Sequence, residues 1–231
     1  MYNKNLLQAS RQKLAQDVYF VCTTEIDRVK VSHLNLVSVV YVLYFYMCQC
    51  LNLQAYITTN SLNNKEVEYL KDKLDLSELP EEGGYYKETY RSDKMIILPS
   101  EIDGERSIAT SIYYLLDGTQ FSAFHRLISD EVWHFYTGSS VTLYIISKME
   151  ILSEVKLGGN IEKGEHFQSH VKAGSWFAAT VNDKSSYALL GCTVSPGFDY
   201  LDFELGDRKK LIEMYPQHRS TIEKLTRSAS K

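Results

Sequence analysis

The sequence lacks the features by which several large classes of protein are recognised. It has no run of Lys or Arg and a net charge of −4, so nucleic acid is not expected as a partner. Its four cysteines show no zinc spacing, because Cys48 and Cys50 have no second pair, and reduced, unpaired thiols are predicted. No nucleophile elbow, phosphate-binding loop, metalloprotease helix or dinucleotide fingerprint is present, which excludes the activities built on those motifs.

Glycine and proline are absent from residues 1–60, whereas all 12 glycines and all four prolines of the 231-residue chain follow. The charge changes at the same place, from a net +2 in the first 60 residues to −6 in the remainder. Both changes meet a polar stretch near residue 61. We therefore predict an N-terminal extension of uncertain role over residues 1–60 and one packed domain over residues 61–231.

Long apolar runs are also scarce, and the densest lies inside the extension. Residues 37–48 carry no charge, but polar residues dilute the longer uncharged stretch around them. A membrane-spanning helix needs about 20 mostly apolar residues, so this run is short for one. We predict a packed element in a cytoplasmic protein. The alternatives are a membrane anchor formed by residues 34–57, or a segment unrelated to the activity of the domain.

The second domain consists of short β-forming segments that glycines separate. Many short strands with turn signals between them predict a β-sandwich or barrel. A helix is predicted over residues 64–75, before the strands, because its apolar residues fall on one face. A second helical pattern covers residues 207–227 and is broken at Pro216. The domain is thus predicted to be a β-structure flanked by helices.

Residues 118–138 carry the most informative pattern in the chain. His125 is followed by Glu131 six residues later, and an alternating apolar run then leads to Gly138. Two strands joined by a turn would place His125 and Glu131 on neighbouring strands that face one interior. The pattern therefore predicts a polar spot inside a small β-barrel.

Strand alternation assigns the neighbours of Glu131 to two faces. If Glu131 points into the barrel, Trp133 and Phe135 do so as well, and His134 points to the other side. A carboxyl group inside a barrel is costly unless it is paired, since burying it without a partner costs several kcal/mol. Glu131 is therefore a stronger candidate for function than the aromatic residues beside it.

The same stretch resembles the first signature of the cupin superfamily, in which Gly, His-x-His, Glu and Gly follow at nearly fixed distances. The second signature of that superfamily, which contains Pro-x-Gly and a third His, is matched only at its glycines. The matching positions are His125, Glu131, Gly138, Gly164 and Gly174, whereas Leu127 and Phe177 stand where the second and third His would be.

Further blocks resemble one uncharacterised family of the cupin and rhamnose-epimerase-like superfamily, a domain of unknown function. The blocks are residues 82–92, 110–116, 173–179 and 191–206, and the resemblance covers about residues 63–227. It implies an all-β fold, the double-stranded β-helix or jelly-roll barrel, to which the sequence patterns described above add flanking helices and an N-terminal extension. It also implies a homodimer, which pairing of edge strands would explain. It implies no established reaction.

Two functions without a metal are compatible with this barrel. The first is a module that binds a small polar, sugar-like molecule between the sheets. The second is a metal-independent sugar epimerase or isomerase. In that case the resemblance to rhamnose-type epimerases implies His125 as the base, with Tyr113 or Tyr114 as the acid. Whether the protein is an enzyme stays open at this point.

The third function is a metal-dependent cupin enzyme. The resemblance implies three His and one Glu as metal ligands, and Leu127 and Phe177 replace two of those His. His166, Gln168 or His170 would have to supply a missing ligand, because two protein ligands make a poor transition-metal site. We predict no cofactor, and the metal enzyme remains the alternative.

Seven residues are predicted to form the site. His125 and Glu131 are the catalytic candidates, because a nearby carboxylate fixes the tautomer of an imidazole and raises its pKa. Aromatic and polar side chains that orient a ligand are expected around them. These ligand-binding candidates are Tyr86, Glu88, Tyr114, Gln168 and Trp176.

Overall fold

The computed structural model describes residues 48–49, 63–97 and 104–227. Their main feature is a set of antiparallel strands, in agreement with the predicted all-β fold. The strands are β1 (Ser77–Glu78), β2 (Tyr85–Arg91), β3 (Met95–Ile97), β4 (Glu105–Ser107), β5 (Thr110–Asp117), β6 (Phe121–Leu127), β7 (Asp130–Gly138), β8 (Val141–Ile146), β9 (Leu152–Leu157), β10 (Gln168–Val171), β11 (Trp176–Val181), β12 (Tyr187–Ser195) and β13 (Phe203–Leu205).

Two large sheets form the domain. The first has six strands in the order β1-β2-β5-β12-β7-β10, and the second has five in the order β13-β6-β11-β8-β9. Strands β3 and β4 pair separately as a small ribbon. The consecutive strands β6 and β7 belong to different sheets, so His125 and Glu131 reach the interior from opposite walls. This arrangement confirms the predicted jelly-roll barrel.

The core between the sheets follows the two-residue period of the strands. Tyr114, Trp133 and Leu190 from the first sheet pack against Leu143 and Phe177 from the second. These residues are almost completely buried, and burying an aliphatic or aromatic side chain contributes roughly 1.5–3 kcal/mol. The core occupies one part of the barrel and leaves the rest for a cavity.

Helices cover the outer faces of both sheets. The helix over residues 63–73 (α1) packs Val67 onto Leu115 and Leu189 of the first sheet. Helices α2 (Arg208–Met214) and α3 (Arg219–Lys224) pack onto the second sheet through Leu211 and Ile222. The helices predicted at 64–75 and 207–227 are confirmed, and Pro216 begins the short 3-10 helix between α2 and α3.

The predicted N-terminal extension lies outside the described residues, apart from Cys48 and Gln49. The boundary expected near residue 61, the candidate anchor 34–57 and the role of the extension therefore stay predictions. In the part of the chain that the structure describes, no helix is long and apolar enough to cross a membrane.

Candidate functional site

A cavity of about 700 Å³ opens at one end of the barrel, beside the core. Strands β2, β5, β7 and β12 of the first sheet contribute to its wall, and β6 and β13 contribute from the second. Two connecting segments complete the wall, residues 79–82 before β2 and residues 198–200 before β13. The cavity therefore lies between the two sheets, where the sequence predicted a polar spot.

The loop between β1 and β2 carries Glu82 over the end of the barrel. Gly83 and Gly84 follow with φ angles of +104° and +80°, a conformation that side chains with a Cβ rarely adopt. A Cβ on Gly83 would lie 2.4 Å from the Phe121 carbonyl oxygen, and one on Gly84 would lie 2.8 Å from the Tyr114 ring. The glycine pair thus lets the loop approach both sheets closely enough to present Glu82.

Hydrogen bonds hold this loop against both sheets. The Ala123 N–H donates to the Glu82 carbonyl oxygen at 2.8 Å, and the Tyr114 hydroxyl donates to the Gly83 carbonyl oxygen at 2.7 Å. Arg227 donates to the Glu82 carbonyl oxygen at 3.0 Å and stacks on the Phe121 ring at 4.2 Å. The position of Glu82 is therefore fixed by contacts from β5, β6 and the residues after α3.

His125 is buried on β6 and its tautomer follows from one contact. Its Nδ1 atom lies 2.7 Å from the carbonyl oxygen of Ala123. A carbonyl oxygen only accepts, so Nδ1 must carry the hydrogen in the neutral ring as well as in the charged one. The lone pair of the neutral imidazole is therefore on Nε2. The ring lies between Phe177 and Phe203, with centroid distances of 4.0 and 5.4 Å.

Glu82 is the carboxylate that faces His125. The Oε2 atom of Glu82 lies 3.9 Å from Nε2 of His125, and Oε1 accepts a hydrogen bond from the Ser122 hydroxyl at 2.8 Å. At 3.9 Å the two groups form an ion pair when the imidazole is protonated but no direct hydrogen bond. The predicted pairing of His125 with a carboxyl group is present, with Glu82 in place of Glu131.

Glu131 is buried in the cavity wall with an incomplete set of partners. It is 6% exposed, and its Oε2 atom has no hydrogen-bond partner among the described residues. Burial and the neighbouring charge of Glu82 raise the pKa of Glu131 from 4.5 to about 8, although the Cys192 and Trp133 side chains partly oppose this. Glu131 is therefore mostly protonated at pH 7 and can donate a hydrogen bond.

Two further titratable groups of the wall are held neutral. Burial, together with the charge of Glu82, raises the pKa of the Tyr114 hydroxyl well above its usual range. Burial and the charges of Glu131 and Glu82 raise the pKa of the Cys192 thiol in the same way. The deep part of the cavity thus has an uncharged phenol and thiol beside two carboxyl groups, which disfavours any additional negative charge.

The structure brings five of the seven predicted site residues to the cavity. Tyr86 and Glu88 on β2 line the outer part of the cavity. The candidates on β5, β6 and β7 line its deeper part. Tyr113, the alternative acid, faces the other side of the sheet and contacts Tyr136 there. The five residues are Tyr86, Glu88, Tyr114, His125 and Glu131.

Gln168 does not reach the cavity. It pairs with His134 in the register of β10 and β7, and its side chain lies 2.9 Å from Nδ1 of His134. His134 is three residues after Glu131 on β7, so strand alternation turns its side chain outward. Directly opposed residues of paired strands share a face, so Gln168 points outward as well. The expectation that Gln168 lines the pocket is corrected by this register, whereas the outward position of His134 is confirmed.

Trp176 lies on the opposite side of the second sheet. It is buried against Phe124 and Leu211 beneath the C-terminal helices, and Arg126 stacks on its ring at 4.7 Å. Phe177, the next residue, faces the interior opposite His125. Neighbouring residues of a strand face opposite sides, so Trp176 has to point away from the cavity. Its assignment to the ligand site is corrected accordingly.

The residues present do not fit a cupin metal site. In the described residues, no group of three or more His, Cys, Asp or Glu is arranged to hold a metal ion. His170 pairs with Val132 on the outer face, as Gln168 pairs with His134, and neither they nor His166 line the cavity. The position opposite His125 is filled by the Phe177 ring. No step of the chemistry is therefore assigned to a metal.

Glu82 is the site residue that sequence reasoning missed. The sequence shows a Glu before a Gly-Gly pair, which indicates a tight turn or a close backbone approach. The partners of this loop on β5 and β6 are 31 or more residues away along the chain. No local pattern identifies such partners, so the direction in which Glu82 points was not predictable.

A family model supports the assignment of this fold. The model described as Cupin superfamily (DUF985) matches residues 68–206, which include β2 to β13. This match covers more than half of the chain, so the protein belongs to that family. Among curated proteins, none matches the chain.

Two solved structures resemble the domain. An X-ray structure of a protein from Shewanella oneidensis is 40% identical, with a TM-score of 0.62, and the match covers 69% of this chain and 96% of that one. A hypothetical protein from Leishmania major is 34% identical, with a TM-score of 0.65, and the match covers 70% and 98%. The match therefore spans almost the whole length of both relatives.

Proposed function

We propose that this cupin superfamily protein binds a small, polar, sugar-like molecule inside its barrel. The supporting observation is that the buried Oε2 of Glu131 and Nε1 of Trp133 lack hydrogen-bond partners in the described part of the chain. Buried polar atoms are nearly always satisfied, and each unmade bond costs about 1–3 kcal/mol. Both residues line the cavity, so a ligand there would supply the missing partners.

The polar groups of the cavity complement a ligand that has both hydroxyl and carbonyl oxygens. Protonated Glu131 and the indole of Trp133 are donors, and they suit ligand oxygens that accept. Glu82 and the Nε2 lone pair of His125 are acceptors, and they suit ligand hydroxyl groups. A cavity of about 700 Å³ lies within the size range of small-molecule sites.

The binding proposal can be tested with the two tryptophans of the chain. In a Trp176→Phe variant, Trp133 in the cavity wall is the single fluorescent indole. We expect saturable fluorescence changes and a raised melting temperature with monosaccharides. His125→Ala should weaken this response at least tenfold. The matched control is Gln168→Ala, whose side chain lies outside the cavity. A response that is equal in His125→Ala would show that binding occurs elsewhere.

A second candidate function, isomerisation or epimerisation, is favoured by the tautomer of His125. The free lone pair on Nε2 can take a proton from a carbon next to a carbonyl, while Glu131 gives its proton to the carbonyl oxygen. The electron pair of the broken C–H bond then forms the C=C bond of an enol. Return of a proton to carbon reverses the flow and inverts the centre if it arrives from the other face.

This second function is tested by hydrogen exchange. Incubation with ketoses and aldoses in D₂O should introduce deuterium next to the carbonyl, as followed by proton NMR. His125→Ala should abolish exchange and leave part of the binding, because it removes the base only. Binding without exchange for any sugar would leave a ligand-binding module. A homodimer, a cytoplasmic location and the absence of a nucleic-acid partner remain predictions.

A further inference from the structure

We propose that the ligand of this cavity carries a positive charge, as an amino sugar or amino alcohol does, and that phosphorylated molecules are excluded. The inference rests on the proposed function, since it names the class of ligand for the same cavity. It is carried by the charges on the wall, by the engagement of the nearby guanidinium groups, and by the aromatic rings around the carboxyl groups.

Carboxyl groups outnumber guanidinium groups in the cavity wall. Five line the cavity, and Arg91 supplies the single guanidinium group among the described lining residues. A phosphate would have to approach these carboxyl groups without a cation to receive it, which is unfavourable by several kcal/mol at low dielectric. The carboxyl groups belong to Glu81, Glu82, Glu88, Glu131 and Asp199.

The arginines near the cavity are engaged with carboxylates. Arg91 makes a two-pronged contact with Glu88, with Nε–Oε1 at 3.0 Å and NH2–Oε2 at 2.7 Å. Arg106 makes the same kind of contact with Asp202, with both distances at 2.7 Å. A guanidinium binds a phosphate through the same bidentate geometry. The guanidinium groups of Arg91 and Arg106 already make these contacts with carboxylates, so they do not favour an anionic ligand.

The carboxyl groups of Glu82 and Glu131 both line the cavity. Glu82 is near enough to Glu131 for its charge to oppose ionisation of the second group, and Oε2 of Glu131 has no partner in the described structure. An ammonium group between them would interact favourably with both and would supply donors to the unpartnered oxygen. A neutral hydroxyl in the same place would supply one donor and no charge.

Aromatic rings surround this part of the cavity. Tyr86 and Tyr114 line it from the first sheet with Trp133, and Phe198 and Phe203 line it from the segment that leads to β13. The faces of such rings attract cations by about 0.5–2 kcal/mol when the site is desolvated. Carboxyl groups that lie beside aromatic rings in one cavity thus favour an amine.

The test compares three probes that share one ring, namely glucose, glucosamine and glucose 6-phosphate. Each is titrated at pH 7 into the Trp176→Phe variant while the fluorescence of Trp133 is followed. We add ethylene glycol, ethanolamine and inorganic phosphate as probes that do not depend on the ring. Glucosamine and ethanolamine should bind about tenfold more tightly than their neutral counterparts, which corresponds to one charge-assisted hydrogen bond, and the phosphates should not bind.

Each outcome decides between the two proposals. Equal affinity for neutral and amine probes, or tighter binding of phosphate, would overturn the charge preference and leave the binding function standing. Failure of every probe to bind would overturn both. A tenfold preference for the amines would support the inference and the function together.

Variants identify the carboxyl groups that carry the preference. Glu82→Gln should remove most of the preference for glucosamine over glucose, whereas Glu131→Gln, which replaces a group that is mostly protonated at pH 7, should reduce it less. An unchanged far-UV circular dichroism spectrum shows that the fold of each variant is intact. Glu204→Gln is the matched control, because Glu204 lies on β13 and pairs with Arg126 outside the cavity. A preference for glucosamine that survives in both cavity variants would contradict the assignment.

Discussion

The Nε2 atom of His125 lies 3.9 Å from the Oε2 atom of Glu82, across the gap between β6 and the loop before β2. Because Nδ1 of His125 is bound to the Ala123 carbonyl oxygen, Nε2 is the atom that takes up or releases a proton. Glu82 would stabilise the imidazolium that forms, and Ser122 fixes the carboxylate through the other oxygen. The cavity therefore contains a base with an adjacent carboxylate, and a protonated Glu131 on the opposite wall.

The first prediction concerns the pH dependence of stability that Glu131 causes. Its pKa is about 8 in the folded protein against 4.5 as its ordinary value, so the folded state binds the proton more tightly. The stability that this provides is fully present below about pH 4.5 and is lost as the pH rises to about 8. Glu131→Gln should match the wild type at pH 5 and exceed it by roughly 4 kcal/mol at pH 9.

Urea denaturation at pH 5, 7 and 9 measures this difference. The relevant quantity is how the difference in stability between wild type and variant changes with pH, since groups that do not interact with Glu131 titrate equally in both proteins. Glu204→Gln, an exposed Glu on β13, serves as control and should give a gap that does not vary. A constant gap for Glu131→Gln would show that Glu131 is ionised in the folded protein at neutral pH.

The second prediction concerns Glu82, whose charge is the second cause of the raised pKa of Glu131 after burial. Glu82→Gln removes that charge, so the pKa of Glu131 should fall but stay above 4.5, because burial is unchanged. In the same urea series, the pH at which stability stops falling should therefore be lower than in the wild type. Glu81→Gln, the exposed neighbour on the loop, is the control. An unchanged pH profile in Glu82→Gln would mean that the two carboxyl groups do not interact.

Strand alternation predicted much of this site from the sequence. Once Glu131 was assigned to the interior, Trp133 and Phe135 had to follow and His134 had to point outward, and the structure confirms all three positions. The same rule applied to Phe177 would have sent Trp176 outward. The wrong placement of Trp176 came from aromatic character being weighed above the two-residue period.

The rest of the site depends on contacts that no local pattern encodes. The sequence around Gln168 does not determine which face of the sheet this residue occupies, and only its pairing with His134 fixes that face. Glu82 comes from a loop whose hydrogen bonds reach β5 and β6. Register and loop direction are determined by the whole fold, so residues of these two kinds escape sequence reasoning.

The third prediction concerns the reactivity of Cys192. The thiol is buried in the cavity wall, and burial together with the charges of Glu131 and Glu82 raises its pKa well above the usual range. Thiolate is the reactive form, so iodoacetamide at pH 8 should label Cys192 far more slowly in the native protein than in urea. Peptide mass spectrometry measures the labelling, and the partly exposed Cys48 provides an internal comparison. Equal labelling in native and unfolded protein would contradict the buried position.

The fourth prediction concerns the buried pair of Arg106 and Asp202. Their side chains are each 6% exposed and joined by two contacts of 2.7 Å, which tie β4 to the 3-10 helix before β13. Asp202→Asn removes the carboxylate from a buried, two-contact ion pair, so the free energy of unfolding should fall by about 3–5 kcal/mol. Phe198 and Tyr200 precede this residue and line the cavity, so ligand affinity should fall as well.

The control is Glu88→Gln, which weakens the more exposed ion pair of Glu88 with Arg91. This change should lower the free energy of unfolding by less than about 1 kcal/mol. Urea denaturation of the two variants checks the difference, and equal losses would show that the buried pair does not hold the segment in place.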